Sequence, residues 1–129
     1  LPGAEELLSA LHGRYTLCLA SNGTGWVQEG RLKNSGILPL LDQVFISEYL
    51  GANKPQLGFF DACFASLPGV KRSESLMLGD SLTSDMLGGK IAGMHTCWYN
   101  PNRLPLPTDG TVEYQIHRLP DLLPLLEKL

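Results

Sequence analysis

The stretch LMLGDSLTSDMLGGKIAGM, residues 76–94, decides how the rest of the chain is read. Ser75 to Gly79 reads as a strand, Asp80 to Thr83 as a loop, and Ser84 to Ala92 as a helix. Gly88 and Gly89 oppose that helix, each at about 1 kcal/mol relative to alanine. Their presence is explained if the helix packs closely on a sheet. A strand that turns through an acidic loop directly into a helix is the repeating unit of an α/β fold.

Working outward, the same alternation continues in both directions. Ala4, Leu7, Leu8 and Leu11 recur at helical spacing, with Pro2 suited to the first turn and Gly13 to the exit. Tyr15 to Ala20 is an apolar run too short for a helix and reads as a buried strand. The turn cluster Ser21 to Gly25 leads to a helix from Trp26 to Asn34 that stops near Gly36. Gln43 to Ser47 reads as a second strand. Leu57, Phe60, Phe64 and Leu67 mark one face of a third helix, ended by Pro68-Gly69. His95 to Tyr99 reads as a fourth strand. A loop carrying Pro101, Pro105 and Pro107 leads to an edge strand, Glu113 to His117. A last helix starts near Asp121, with Pro124 tolerable in its first turn. The pattern predicts a Rossmann-like α/β fold, residues 1–129 as a single domain, with a mostly parallel sheet and helices on both faces.

Composition narrows the function. The 129 residues carry a formal charge of −3, and the basic residues are scattered apart from Lys71-Arg72. Nucleic acid is therefore not expected as a partner, since phosphate backbones demand clustered Lys and Arg. No apolar run approaches the roughly 18 residues of a membrane span. The three cysteines, Cys18, Cys63 and Cys97, read as buried reduced thiols of a cytoplasmic protein. The histidines lack ligand-spaced neighbours, so zinc is not expected. Neither a Gly-x-Gly-x-x-Gly after a strand nor a P-loop is present.

Ligands of open parallel sheets bind at the carboxyl ends of strands. Strand one is followed there by Ser21-Asn22, strand three by Asp80 to Asp85, and the loop after strand two leads to Lys54. A serine hydroxyl with backbone N–H groups at a helix entrance can hold a phosphate oxygen. A lysine can neutralise a phosphoryl group during transfer. Asp80 and Asp85 can hold a hard cation such as magnesium, which takes one or two carboxylates plus water and phosphate. Each element also has a plainer reading. Ser21 and Asn22 would cap the second helix, Lys54 would be a solvated lysine, and Asp80 and Asp85 would complement a helix dipole.

The stretches LCLASNG (residues 17–23), ANKP (52–55) and 76–94 together resemble the second, third and fourth motifs of the haloacid dehalogenase-like hydrolases. The glycine-aspartate, second aspartate and glycine-glycine helix are most similar to the subgroup containing pyrimidine 5′-nucleotidases. LPGAEELLSALHG (1–13) resembles the helix that enters the core after the cap in that subgroup. The resemblance implies a magnesium-dependent phosphatase for a small phosphomonoester, with a nucleotide among the candidates. Ser21, with the Asn22 backbone, would bind the phosphoryl group, and Lys54 would stabilise its charge. Asp80 would ligate Mg2+, and Asp85 would support the metal or orient Lys54.

The family's first motif, two aspartates separated by one residue after the central strand, supplies the nucleophile and the general acid-base. The aspartates here are Asp42, Asp61, Asp80, Asp85, Asp109 and Asp121, and no two have that spacing. The expectation is a C-terminal core fragment lacking that motif, its strand and the cap. The absent strand would lie between strands one and three, leaving exposed edges. A missing N-terminal segment or a homo-oligomer would complete the sheet, and the chain alone would be inactive. The competing reading is a non-catalytic phosphate- and metal-binding module.

Overall fold

The computed structural model describes residues 3–129, and Pro2 lies outside them. The residues form two compact units. One contains the chain through Gly51 together with Leu119–Leu129, and the other spans Ala52–Arg118.

In the first unit, helix α1 covers Ala4–Leu11 and buries Leu7 and Leu11. Gly13 follows at φ +82°, a left-handed conformation that only glycine adopts without strain. Strand β1 covers Cys18–Ser21, starting later than the apolar run suggested. The Tyr15 N–H donates to Leu11 O at 3.2 Å, so Tyr15 belongs to the exit of the helix. Helix α2 spans Gly25–Ser35 and ends at Gly36, φ +76°. Strand β2, Gln43–Ile46, pairs parallel with β1 in the register Cys18↔Gln43 to Ser21↔Ile46. Asp42 secures the entry to that ladder, its Oδ2 accepting from Leu17 N at 2.7 Å. A single helical turn that the sequence did not reveal, α3, Ser47–Leu50, follows β2 directly. Leu17, Leu32, Phe45, Ile46, Leu119 and Leu122 are buried with the α1 leucines.

In the second unit, helix α4 covers Leu57–Ala65 and buries Phe59, Phe60 and Cys63. This corrects the expected face. Leu57 is exposed, because the helix turns its Phe59–Phe60 pair inward, the rings meeting edge-on at 5.3 Å. Strand β3, Leu76–Gly79, β4, His95–Tyr99, and β5, Tyr114–Ile116, form a parallel sheet in the order β3-β4-β5. The edge position expected for the last strand is observed. Between β3 and β4 the helix begins as a π turn, Leu82–Met86, and continues as α5, Leu87–Ile91. Ser81 O accepts from both Asp85 N and Met86 N at 3.0 Å, which widens the first turn. Helix α6, Leu122–Glu127, completes the chain in the first unit, with Pro124 in its first turn.

All observed ladders are parallel. Among the described residues, β1 has β2 as its only ladder partner, and β3 has β4. No helix among them is long and apolar enough to cross a membrane. The cysteines are free thiols, but Cys18 is exposed at the start of β1, correcting the expectation that all three are buried. Burial pushes the Cys97 thiol up to about 11.

Packing explains the paired glycines of α5. A Cβ on Gly89 would sit 2.9 Å from both Met77 Cβ and Thr96 Cγ2, and one on Gly88 2.7 Å from the Phe60 ring. Helix propensity alone predicts that Gly89→Ala stabilises the protein by about 1 kcal/mol. Overpacking against β3 and β4 is expected to reverse the sign, to a loss of about 1–3 kcal/mol in urea unfolding.

The start of β4 is clipped to the segment before β5 by an exposed pair, His95 Nδ1 with Glu113 Oε1 at 2.8 Å. The other ring nitrogen lies 2.9 Å from the Ser73 carbonyl, so both neighbours are acceptors and favour imidazolium. The hydrogen bond to Glu113 is the main cause that raises the His95 pKa above its ordinary 6.5. The contribution is therefore fully present below pH 6.5 and is lost as pH rises through the folded value. Exposed pairs contribute only about 0–1 kcal/mol. A His95→Gln/Glu113→Gln double-mutant cycle is expected to give a small coupling at pH 5.5 that vanishes at pH 9.

Candidate functional site

Two groups of sequence-predicted residues emerge, one in each unit. In the second unit the structure brings Lys54 and Asp85 together. Lys54 Nζ donates to Asp85 Oδ1 at 2.5 Å, and both side chains are only 8% exposed. Asp85 reaches the lysine because the π turn swings it back over the end of β3. Its Oδ2 accepts from Ser81 N at 3.2 Å. A Cβ on Gly79 would collide with that carboxylate, so glycine at the end of β3 makes the approach possible. Ser81 caps the same turn, its Oγ accepting from Ser84 N at 3.1 Å. The Lys54–Pro55 peptide is cis.

Asp80 lies on the loop directly after β3 and is exposed. Its carboxylate has no hydrogen-bond or ion-pair partner among the described residues, while its backbone oxygen accepts from the Trp98 indole at 3.1 Å. A carboxylate held at a fixed backbone position and open to solvent suits a hard cation. Asp85 is committed to Lys54 and to the loop, which suits an orienting role more than a direct ligand. No cluster of three or more His, Cys, Asp or Glu side chains is found among the described residues. The exposed Asp80 carboxylate is the residue of this loop that could hold a hard cation with phosphate and water completing its shell.

In the first unit, Ser21 is the last residue of β1 and Asn22 opens the loop that follows. The plainer capping reading does not hold. The N-cap of α2 is Thr24, and no side chain of that residue caps the helix. The donor at the helix entrance, Gly25 N–H, is instead taken by Glu48 of α3, which is not the open helix N-terminus that the sequence suggested. Ser47 reaches the same loop, its Oγ accepting from Gly23 N at 3.0 Å.

Sequence reasoning missed Ser47, Glu48, Ser81 and Trp98. The first two stand directly after β2, so reading the carboxyl end of every strand would have reached them. The Trp98 contact carries no local signal, because it joins residues 18 positions apart.

Residues 1–99 match the family described as haloacid dehalogenase-like hydrolase. The chain belongs to the haloacid dehalogenase-like hydrolases. It is 43% identical over 129 residues, 99% of its length, to the pyrimidine 5′-nucleotidase PynA of Streptococcus pneumoniae, of which it covers 54%. It is 36% identical to the pyrimidine 5′-nucleotidase YjjG of Escherichia coli, covering 99% of this chain and 57% of that one. Among solved structures, the HAD-hydrolase YfnB of Bacillus subtilis bound to magnesium superposes with a TM-score of 0.94 at 36% identity, over 98% of this chain and 55% of that chain. The Rossmann-like α/β fold and the nucleotidase-like subgroup are thereby established for this member of the family, which spans about half the length of the curated relatives it matches.

Each partner of the buried pair is expected to depend on the other. Asp85→Ala and Lys54→Met should each cost about 3 kcal/mol, because either change removes the counter-charge of a buried group. The double variant should cost much less than the sum, as urea unfolding of the four proteins will measure. Additive costs would show that the pair is not coupled.

Proposed function

We propose that residues 1–129 form the phosphate- and metal-binding part of a magnesium-dependent phosphatase whose nucleophile lies on a segment outside them. The observation that carries this reading is the buried Lys54–Asp85 pair beside the open Asp80 carboxylate. Burying an ammonium is costly, and a charge held in place at a strand's carboxyl end is what phosphoryl transfer requires.

In this reading the Ser21 hydroxyl and the Asn22 N–H donate to a phosphoryl oxygen. Lys54 neutralises charge shared by the phosphate and the attacking carboxylate. Asp85 holds Lys54 in register, and Asp80 contributes the carboxylate that holds Mg2+. When bound, the metal supplies Lewis-acid polarisation of a phosphoryl oxygen. An aspartate of the absent segment attacks phosphorus and the ester oxygen departs, protonated by a second aspartate. That aspartate then takes a proton from the water that hydrolyses the aspartyl-phosphate.

In this reading the two aspartates stand at the end of a strand on a segment outside residues 1–129. A segment of the same protein is favoured over a second copy, because relatives with this sequence are nearly twice as long. The substrate is a small phosphomonoester. A nucleotide is favoured by the likeness to PynA and YjjG. The free thiols favour a reducing compartment, the cytoplasm.

Residues 1–129 alone are expected not to hydrolyse p-nitrophenyl phosphate with Mg2+. A longer form carrying the aspartate pair is expected to do so, and to lose about a hundredfold or more in kcat on Lys54→Met or Asp80→Asn. Magnesium-dependent turnover by pure 1–129 would overturn the proposal.

A further inference from the structure

Two side chains unused in that reaction hold the loop that it needs. Ser47 is 5% exposed, and its hydroxyl engages both polar atoms of one peptide residue. It accepts from Gly23 N at 3.0 Å and donates to Gly23 O at 3.4 Å. Gly23 directly follows Asn22, so this clamp fixes the backbone one residue downstream of the proposed anion loop. Next in sequence, Glu48 accepts from Gly25 N–H, the first residue of α2. Tyr49, the third residue in the run, lies where a Cβ on Gly25 would project, and its hydroxyl donates to Glu29 at 3.0 Å. The start of α2 is thus covered by a carboxylate and a phenol ring.

A helix N-terminus attracts anions. Here that position already carries one, and it is part of the protein. We infer that Ser47 and Glu48 are positioning residues for the anion loop. Ser47 fixes the backbone of Ser21–Asn22, and Glu48 closes the α2 entrance to phosphate, so that a phosphoryl oxygen is directed to Ser21 and Asn22. The inference rests on the phosphoryl-binding reading of those two residues. It also explains why α3 is a single turn starting at the very end of β2. Any spacer would move Ser47 and Glu48 away from a loop that begins at the neighbouring strand's end, in register at Ser21↔Ile46.

The two residues act in opposite senses, which separates positioning from a general structural role. The experiment is a titration of 15N-labelled residues 1–129 with inorganic phosphate, read at the amides of Ser21, Asn22 and Gly25. In the unmodified chain the Asn22 amide should shift saturably, and Gly25 should not. Ser47→Ala should weaken phosphate binding about three- to tenfold, the range of one lost hydrogen bond, and Ser47→Thr should restore it. Glu48→Gln keeps an acceptor for Gly25 N–H but removes a charge within a Debye length of the loop. It should tighten binding about threefold. A merely structural role would weaken binding in both variants, and that outcome overturns the inference. So does phosphate affinity unchanged in both while Ser21→Ala abolishes the Asn22 shift, a result that leaves the phosphoryl reading standing. A wild-type chain whose Ser21 and Asn22 amides do not respond to phosphate overturns both. If Ser47→Ala does not fold, Glu48→Gln decides the matter: tighter phosphate binding with Ser47→Thr at the wild-type affinity supports the inference, and weaker binding in Glu48→Gln overturns it.

Discussion

The contact on which the second unit's chemistry depends is the buried ion pair between Lys54 and Asp85. It links a residue ahead of α4 to the first turn of the helix after β3. Sequence places these residues 31 positions apart, so the pair exists only if several close approaches are met together. Gly79 must lack a side chain for Asp85 to fold back, and Gly88 must lack one for Phe60 to pack against the same helix beside Pro55. The π turn then supplies the register that aims the carboxylate at the lysine. Those glycines weaken the helix as an isolated element. They are tolerated because tertiary packing, not propensity, sets most of a helix's stability in a folded protein.

The first unit solves a different problem with similar economy. Its two strands are short, and the polar groups proposed to bind phosphate lie at the end of β1 and immediately after it. A loop of three residues between β1 and α2 has little intrinsic order. Ser47 and Glu48 impose order from the adjacent strand end, through backbone hydrogen bonds of Gly23 and Gly25. Parallel pairing makes this possible, because both strands deliver their carboxyl ends to the same rim.

Much of this was legible in the sequence, for reasons that differ by element. β4 was read with its observed limits, because a run of apolar and aromatic residues bounded by Gly93 and Pro101 has one reasonable interpretation. The α1 stripe was legible from spacing alone. The inward face of α4 was not: Leu57, Phe59, Phe60, Cys63 and Phe64 offer two overlapping stripes, and only the packing of Phe59 on Phe60 selects one. The π turn was illegible because no local preference in Leu82–Met86 distinguishes it from an ordinary helical turn. Lys54 and Asp85 were each singled out, but the reading that one orients the other came from family resemblance, and their partnership became physical only with the coordinates. Glu48 went unread because a helix entrance looks open to an anion until its tertiary partner is seen.

Formal charge supplies the last constraint. Lys54 and Asp85 neutralise one another, leaving the Asp80 carboxylate as the exposed charge on that rim. A phosphomonoester near neutral pH carries about −1.5 to −2, and a carboxylate nucleophile would add another negative charge. In the proposed reaction such an assembly would repel its substrate in a poorly screened site. A serine hydroxyl and a backbone N–H donate hydrogen bonds but bring no net charge. The lysine divides its charge between Asp85 and the phosphoryl group it is proposed to neutralise. In the proposed reaction a divalent cation held by Asp80 would supply the missing positive charge, while the buried Asp85 carboxylate holds the lysine still. On that proposal, what the chain's own residues supply is position.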